Sequence, residues 1–124
     1  MKESAQIVSD LPRLLNVAGH FHPAPFFLTE DMFGGLAFSL AGGHIKDLVD
    51  KPVAETHVHE VPEIYLLLSP DLGGAEIEIE VDEKLFRISS PAAFYVPANA
   101  RHKFVTKKAQ LGSYCLGILL NSAI

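Results

Sequence analysis

With 124 residues, the chain has room for one domain around a single core and none for a second catalytic domain. A formal charge of -5 and no basic block beyond Lys107-Lys108 argue against a nucleic-acid surface or a polybasic membrane patch, and the lone Cys115 excludes an internal disulfide. No apolar run approaches the roughly 20 residues that span a bilayer and Met1 to Gln6 lacks the apolar core of a signal peptide, so we read a cytoplasmic protein whose partners are small molecules or proteins.

The first stretch, Ile7 to Val17, has two readings. Ser9-Asp10-Leu11-Pro12 fits the start of a short helix carrying Leu11, Leu14 and Leu15 on one side, and equally an extended arm laid over a barrel or a partner subunit. Gly19 to Pro25 reads as a loop, because Pro23-Ala24-Pro25 breaks both helix and ladder. That loop carries a His-x-His, His20 and His22, which invites a second metal site or a lid. No carboxylate or third His follows at ligand spacing, so a metal role is set aside. Residues 1–30 are taken as an N-terminal arm or loop and residues 31–124 as one β domain.

Strand patterns then recur. Phe33 to Leu40 alternates Leu36, Phe38 and Leu40 against Ala37 and Ser39, and Gly42-Gly43 is expected to end that strand. After Asp50-Lys51-Pro52, Val53 to His59 is the next. From Glu63, Tyr65 and Leu67 share one face while Ile64, Leu66 and Leu68 are apolar on the other. Such a strand is predicted to be covered on both sides, by a second sheet or by the other chain of a homodimer. Ala75 to Val81 alternates most strictly, and its three glutamates read as a solvated face rather than a cation site. Asp82-Glu83-Lys84 turns the chain into Leu85 to Ile88. Beyond Ser89-Ser90-Pro91, Ala93 to Val96 leads towards His102, whose face is shared by Phe104 and Thr106. Ser113 to Leu120 closes the set, with Tyr114, Leu116 and Ile118 on one face and Cys115, Gly117 and Leu119 on the other. Short strands punctuated by turns predict an all-β sandwich or barrel, and periodicity alone does not choose between them.

The chemistry centres on His57-Val58-His59-Glu60-Val61-Pro62-Glu63. In extended chain His57 and His59 point the same way. Pro62 lacks a ladder donor and fixes φ, so the chain is expected to turn there and bring Glu63 back towards the pair. His102 is a fourth candidate, behind Pro97-Ala98-Asn99-Ala100-Arg101. Three imidazoles and a carboxylate are a mixed N/O set suited to first-row divalent metals. Packed into an apolar interior without a cation, they would leave buried polar groups unpaired.

The run His57-x-His59-x-x-x-Glu63, followed by Pro97-x-Asn99-x-x-His102, resembles the two sequence motifs of the cupin superfamily. The resemblance covers Lys51 to Thr106. It implies a jelly-roll β-barrel, the double-stranded β-helix, with His57, His59, Glu63 and His102 pointing inward to one divalent transition metal: Fe, Mn, Ni or Zn. Lys51, Pro70 and Pro91 stand where the family usually has glycine. Asn99 replaces the central glycine of the second motif, and Asn tolerates the positive φ that such a turn needs.

Around this set, strand parity points Tyr65, Phe104 and Tyr114 into the cavity, with Tyr65 and Tyr114 as candidates to orient a substrate. Glu55, two residues before His57, is a candidate general base or orienting partner of an imidazole. Arg101 reads as a surface charge and Cys115 as a small buried hydrophobe. With neither a glycine-rich helix start nor an Arg cluster, phosphate is not the expected ligand. The resulting expectation is a metal-dependent small-molecule enzyme, a dioxygenase acting on an oxygenated compound such as a diketone or enediol. Redox-neutral isomerase, lyase or cyclase chemistry and non-catalytic ligand binding are the alternatives.

Overall fold

Apolar side chains alternating with polar ones dictate β-structure, and the computed structural model, which describes residues 4–121, is built almost wholly of it. Met1 to Glu3, part of the stretch read for a signal peptide, lie outside the described residues. In chain order the strands are β1 (Arg13–Leu15), β2 (Ala24–Leu28), β3 (Phe38–His44), β4 (Glu63–Leu68), β5 (Ala75–Val81), β6 (Lys84–Ser89), β7 (Ala92–Val96), β8 (His102–Ala109) and β9 (Tyr114–Leu120). They form two antiparallel sheets, one ordered β1-β2-β3-β9-β4-β7 and the other β6-β5-β8. The chain crosses between sheets at β4–β5, β6–β7, β7–β8 and β8–β9, which is the winding of a jelly roll. No helix among the described residues is long and apolar enough to cross a membrane.

The core lies between the sheets. Ala75, Ile77 and Ile79 of β5 are fully buried and pack with Tyr65 and Leu67 of β4 and Cys115 of β9. Each of Leu67, Ile77 and Ile79 contributes about 1.5–3 kcal/mol by leaving water. Glu76, Glu78 and Glu80 take the other face of β5, where Arg87 pairs with Glu78 at 3.8 Å. The turn after β5 is as predicted: Asp82 and Glu83 take φ of 47° and 71°, the two positive values of a tight hairpin whose twist matches its strands.

Several expectations are corrected. Ile7 to Val17 forms no helix; its extended alternative holds, and β1 pairs with β2, which pairs with β3 in the large sheet. The short helical turns fall at Met32–Gly34 and Lys46–Leu48 instead. The strand expected over Phe33 to Leu40 runs from Phe38 to His44, straight through Gly42-Gly43. Gly42 does not end the strand because it is needed inside it: with φ at 128°, a Cβ there would lie 2.2 Å from the Cys115 carbonyl of β9. Val53 to His59 is not a continuous strand. Its backbone bonds go to two different neighbours, Ala54 bridging His20 and His57 bridging His102. Finally, no second sheet covers the outer face of β4 among the described residues, where Ile64 and Leu66 are half-buried and Leu68 is exposed, so of the two covers expected for it the neighbouring subunit is the one left.

Candidate metal centre

The site sits at one end of the sandwich, where β4 and β8 begin. The backbone of His57 and His102 exchanges two hydrogen bonds, His57 N donating to His102 O at 3.0 Å and His102 N to His57 O at 2.9 Å. A directly opposed antiparallel pair puts its side chains on one face, and the two rings lie 4.5 Å apart, centre to centre. His59 follows on the same face, its ring 4.8 Å from that of His57 and 5.1 Å from that of His102. Asn99 N donates to His59 O at 2.8 Å, and Asn99 takes the predicted positive φ, 67°, that turns the chain into β8. Glu63 opens β4 after buried Pro62 and brings its carboxylate 2.9 Å from His102 Nε2 and 3.6 Å from His59 Nε2.

Two carbonyls set the imidazoles. His57 Nδ1 donates to the carbonyl of Glu55 at 2.8 Å, and His102 Nδ1 to that of Ala100 at 2.9 Å. A carbonyl only accepts, so each Nδ1 carries a proton and Nε2 is the nitrogen turned towards the other donors. At His102 the short contact of Nε2 with Glu63 calls for a second ring proton. Burial works against that cation, but hydrogen bonds from the ring to Glu63 and Ala100 and the Glu63 charge outweigh it and raise the pKa of His102. His57 and His59 go the other way, mainly because burial disfavours their charged forms.

Donor atoms of His57, His59, Glu63 and His102 all lie within 4.8 Å of one another. One ion with bonds of about 2.0–2.1 Å spans such a set after small side-chain adjustments. The donor chemistry agrees: three nitrogens oriented through their far ring atoms and one carboxylate fit a divalent transition metal. Glu63 is also given room by β9, since a Cβ at Gly117 would stand 2.6 Å from its Oε2.

The remaining candidates divide. Tyr65 is buried and borders the cavity, edge-on to Phe104 at 5.2 Å; burial, then the Glu63 charge, pushes its phenol well above the usual range, so it stays protonated. Phe104 borders the cavity as predicted. Tyr114 does not. Register pairs it with His44 and Leu68 on the outer face, where its hydroxyl meets His44 Nε2 at 3.1 Å. Parity in an all-apolar strand does not say which face is inward, and here Cys115 and Gly117 are. Burial, with the Glu63 charge, pushes the Cys115 thiol up to about 12, which agrees with an inert hydrophobe. Glu55 is exposed and orients His57 through its carbonyl, not its carboxylate. Arg101 is a surface residue whose backbone bonds Asp82.

Spacing alone gives His20 no ligand role, yet its ring stands 5.2 Å from that of His57. Burial, and then the neighbouring His57, lowers its pKa. It borders both a cavity of about 510 Å³ and an adjoining chamber of about 40 Å³ beside His57 and Glu63. The signal for it is not a ligand count but the loop's own backbone: Glu55 N donates to Gly19 O, and His20 bridges Ala54.

The sequence matches no family model and no curated protein. Solved structures do match. A protein from Planctomyces limnophilus is 22% identical with a TM-score of 0.60, over 96% of this chain and 90% of that one. A Cupin 2 conserved barrel domain protein from Salinispora arenicola is 15% identical with a TM-score of 0.59, over 94% and 90%. Hydroxypropylphosphonic acid epoxidase from S. wedmorenis, in complex with fosfomycin, is 14% identical with a TM-score of 0.60 over 94% of this chain, which spans 59% of that enzyme. From the sequence motifs, the crossing of its sheets and these likenesses, the chain is a jelly roll of the cupin fold that carries a possible metal site of three histidines and a glutamate.

Proposed function

We propose that the protein is a metal-dependent enzyme acting on a small oxygenated organic molecule, with dioxygenase chemistry as the favoured reaction. The observation that supports this most is the convergence of four donor atoms within 4.8 Å beside a cavity of about 510 Å³. A divalent Fe, Mn, Ni or Zn ion held by His57, His59, Glu63 and His102 supplies binding of substrate oxygens and, when redox-active, dioxygen chemistry. The chain's own residues do the rest. Tyr65, protonated across the working pH range, offers one hydrogen bond to a substrate oxygen. Phe104 and Val53 keep water from that end of the cavity. His20 is placed to hold or pass a proton at the rim. That one protein of this fold is named an epoxidase supports oxidative chemistry over redox-neutral chemistry.

Reconstitution of metal-free protein with Fe(II), Mn(II), Ni(II) and Zn(II), followed by a screen of diketones, hydroxy acids and catechols with oxygen uptake recorded, tests the reading. Turnover that consumes oxygen only with a redox-active ion is the expected result. Turnover with Zn(II) and no oxygen consumption replaces it with isomerase, lyase or cyclase chemistry, and tight binding without turnover makes the protein a ligand-binding module.

The working unit in this reading is a homodimer. Its support is the outer face of the large sheet, where Phe38 and Leu40 of β3, Leu116 and Ile118 of β9, and Ile64 and Leu66 of β4 lie side by side in register. An uncharged apolar face matches itself across a two-fold axis. Light scattering that returns the mass of one chain at all concentrations rejects it.

A further inference from the structure

Four inward positions on β3 and β9 hold no side chain larger than cysteine. Register sets Ala41 opposite Gly117 and Gly43 opposite Cys115, and all four border the cavity. Elsewhere the inward rows carry Tyr65, Leu67, Ile77 and Ile79, which fill the space between the sheets. The cavity exists because these four positions leave their share of that space unfilled.

Its walls are of two kinds. The body is apolar, with Phe27, Leu48, Val53 and Phe104 along it, and no Lys or Arg among the described residues borders it. At the end that meets Glu63 stands Tyr65, which is only 3% exposed and borders both the cavity and the adjoining chamber. A phenol hydroxyl both donates and accepts, so a ligand oxygen at that end of the cavity meets a hydrogen-bonding group. At about 510 Å³ the space is many times the roughly 30 Å³ share of one water. A ring or a short branched chain fits it.

We propose that the substrate is amphipathic, its oxygen-bearing head at Tyr65 and Glu63 and its uncharged apolar body on the floor formed by β3 and β9, with Gly43 setting how large that body is. This rests on the metal-dependent reading only for the position of the head. Gly43 is singled out by geometry. A Cβ at Gly42 would strike the Cys115 carbonyl and one at Gly117 the Glu63 carboxylate, so those glycines are needed by the fold and the site. A Cβ at Gly43 meets nothing within 4 Å, and its φ lies outside the left-handed region. A side chain is allowed there, and its absence keeps the floor open.

The test is calorimetric titration of Zn(II)-loaded and metal-free protein with 2,4-pentanedione and with 1-phenyl-1,3-butanedione, which share a head and differ in body. The phenyl compound is expected to bind wild type at least about tenfold more tightly, and Gly43→Val to abolish that preference while Zn(II) content and pentanedione affinity stay as they were. Gly43→Ala is expected to fall between, at about a threefold loss, and it carries the test if the valine variant does not fold. A phenyl preference unchanged in the variants, equal weakening of both diketones, or no binding of either overturns the proposal. Protein that takes up no Zn(II) yet shows the preference and its loss sinks the metal-dependent reading and leaves the pocket standing. Zn(II) uptake with no preference does the reverse.

Discussion

The chain contains the same three-residue pattern twice, and the two copies end differently. His57 and His59 both turn into the donor cluster, while of His20 and His22 only His20 stands near it and His22 is exposed at the cavity wall. Spacing is identical in the two cases, so spacing is not what makes a ligand pair. The difference is the backbone partner. His57 is locked opposite His102, which is itself a donor, and Asn99 ties down His59. His20 is bridged to Ala54, which offers no donor side chain.

The comparison breaks if metal follows the wrong pair. His57→Ala combined with His59→Ala is expected to lower bound metal by more than about tenfold, and His20→Ala with His22→Ala to leave it near one ion per chain. Elemental analysis of the two double variants, loaded alike, decides; equal metal in both removes the cluster as the binding site.

A smaller effect sharpens the role of the partner strand. In metal-free protein His102→Phe removes the charged hydrogen bond to Glu63 and leaves that carboxylate only the longer contact with His59, at an expected cost of about 1.5–3 kcal/mol in urea unfolding. His20→Ala is expected to cost less than half of that. If the two variants unfold alike, the pairing of His102 with Glu63 contributes nothing particular to the metal-free fold.

The smallest expected effect is on pH. Burial lowers the pKa of His20, His57 and His59, so the folded metal-free chain binds fewer protons than the unfolded one, and their contribution falls as pH drops below 6.5 towards the lower folded values. His102 has the opposite sign: the stability from its raised pKa is complete below 6.5 and is lost as pH rises through the folded value. With three groups against one, urea unfolding is expected to show lower stability at about pH 5.5 than at about pH 7.5, and His57→Ala to shrink the gap. Greater stability at the acid value would mean that the His102–Glu63 pair outweighs all three.

What could be read from the sequence follows the same logic of partners. Ala75 to Val81 declares itself because one face is apolar and the other acidic, and the polar Asp82-Glu83 between two strand-like runs marks the turn, although only Asp of the two takes positive φ readily. The four donors were legible as a set because their types and intervals match a known pattern. Ser113 to Leu120 was not, since both of its faces are apolar and only register with β4 shows that Cys115 points inward and Tyr114 outward. Gly42-Gly43 misled for a related reason: glycine marks both strand ends and close approaches between strands, and only the neighbouring β9 tells them apart.

Gly117 carries a consequence for transplanting the site. Four ligands grafted onto another jelly roll would reproduce the donors and not the arrangement, because any residue with a β-carbon at the position facing Glu63 pushes the carboxylate off its place. A template search keyed to ligand side chains passes over the one residue whose contribution is to have none. A transplant therefore has five positions to match, and the fifth is specified by empty space.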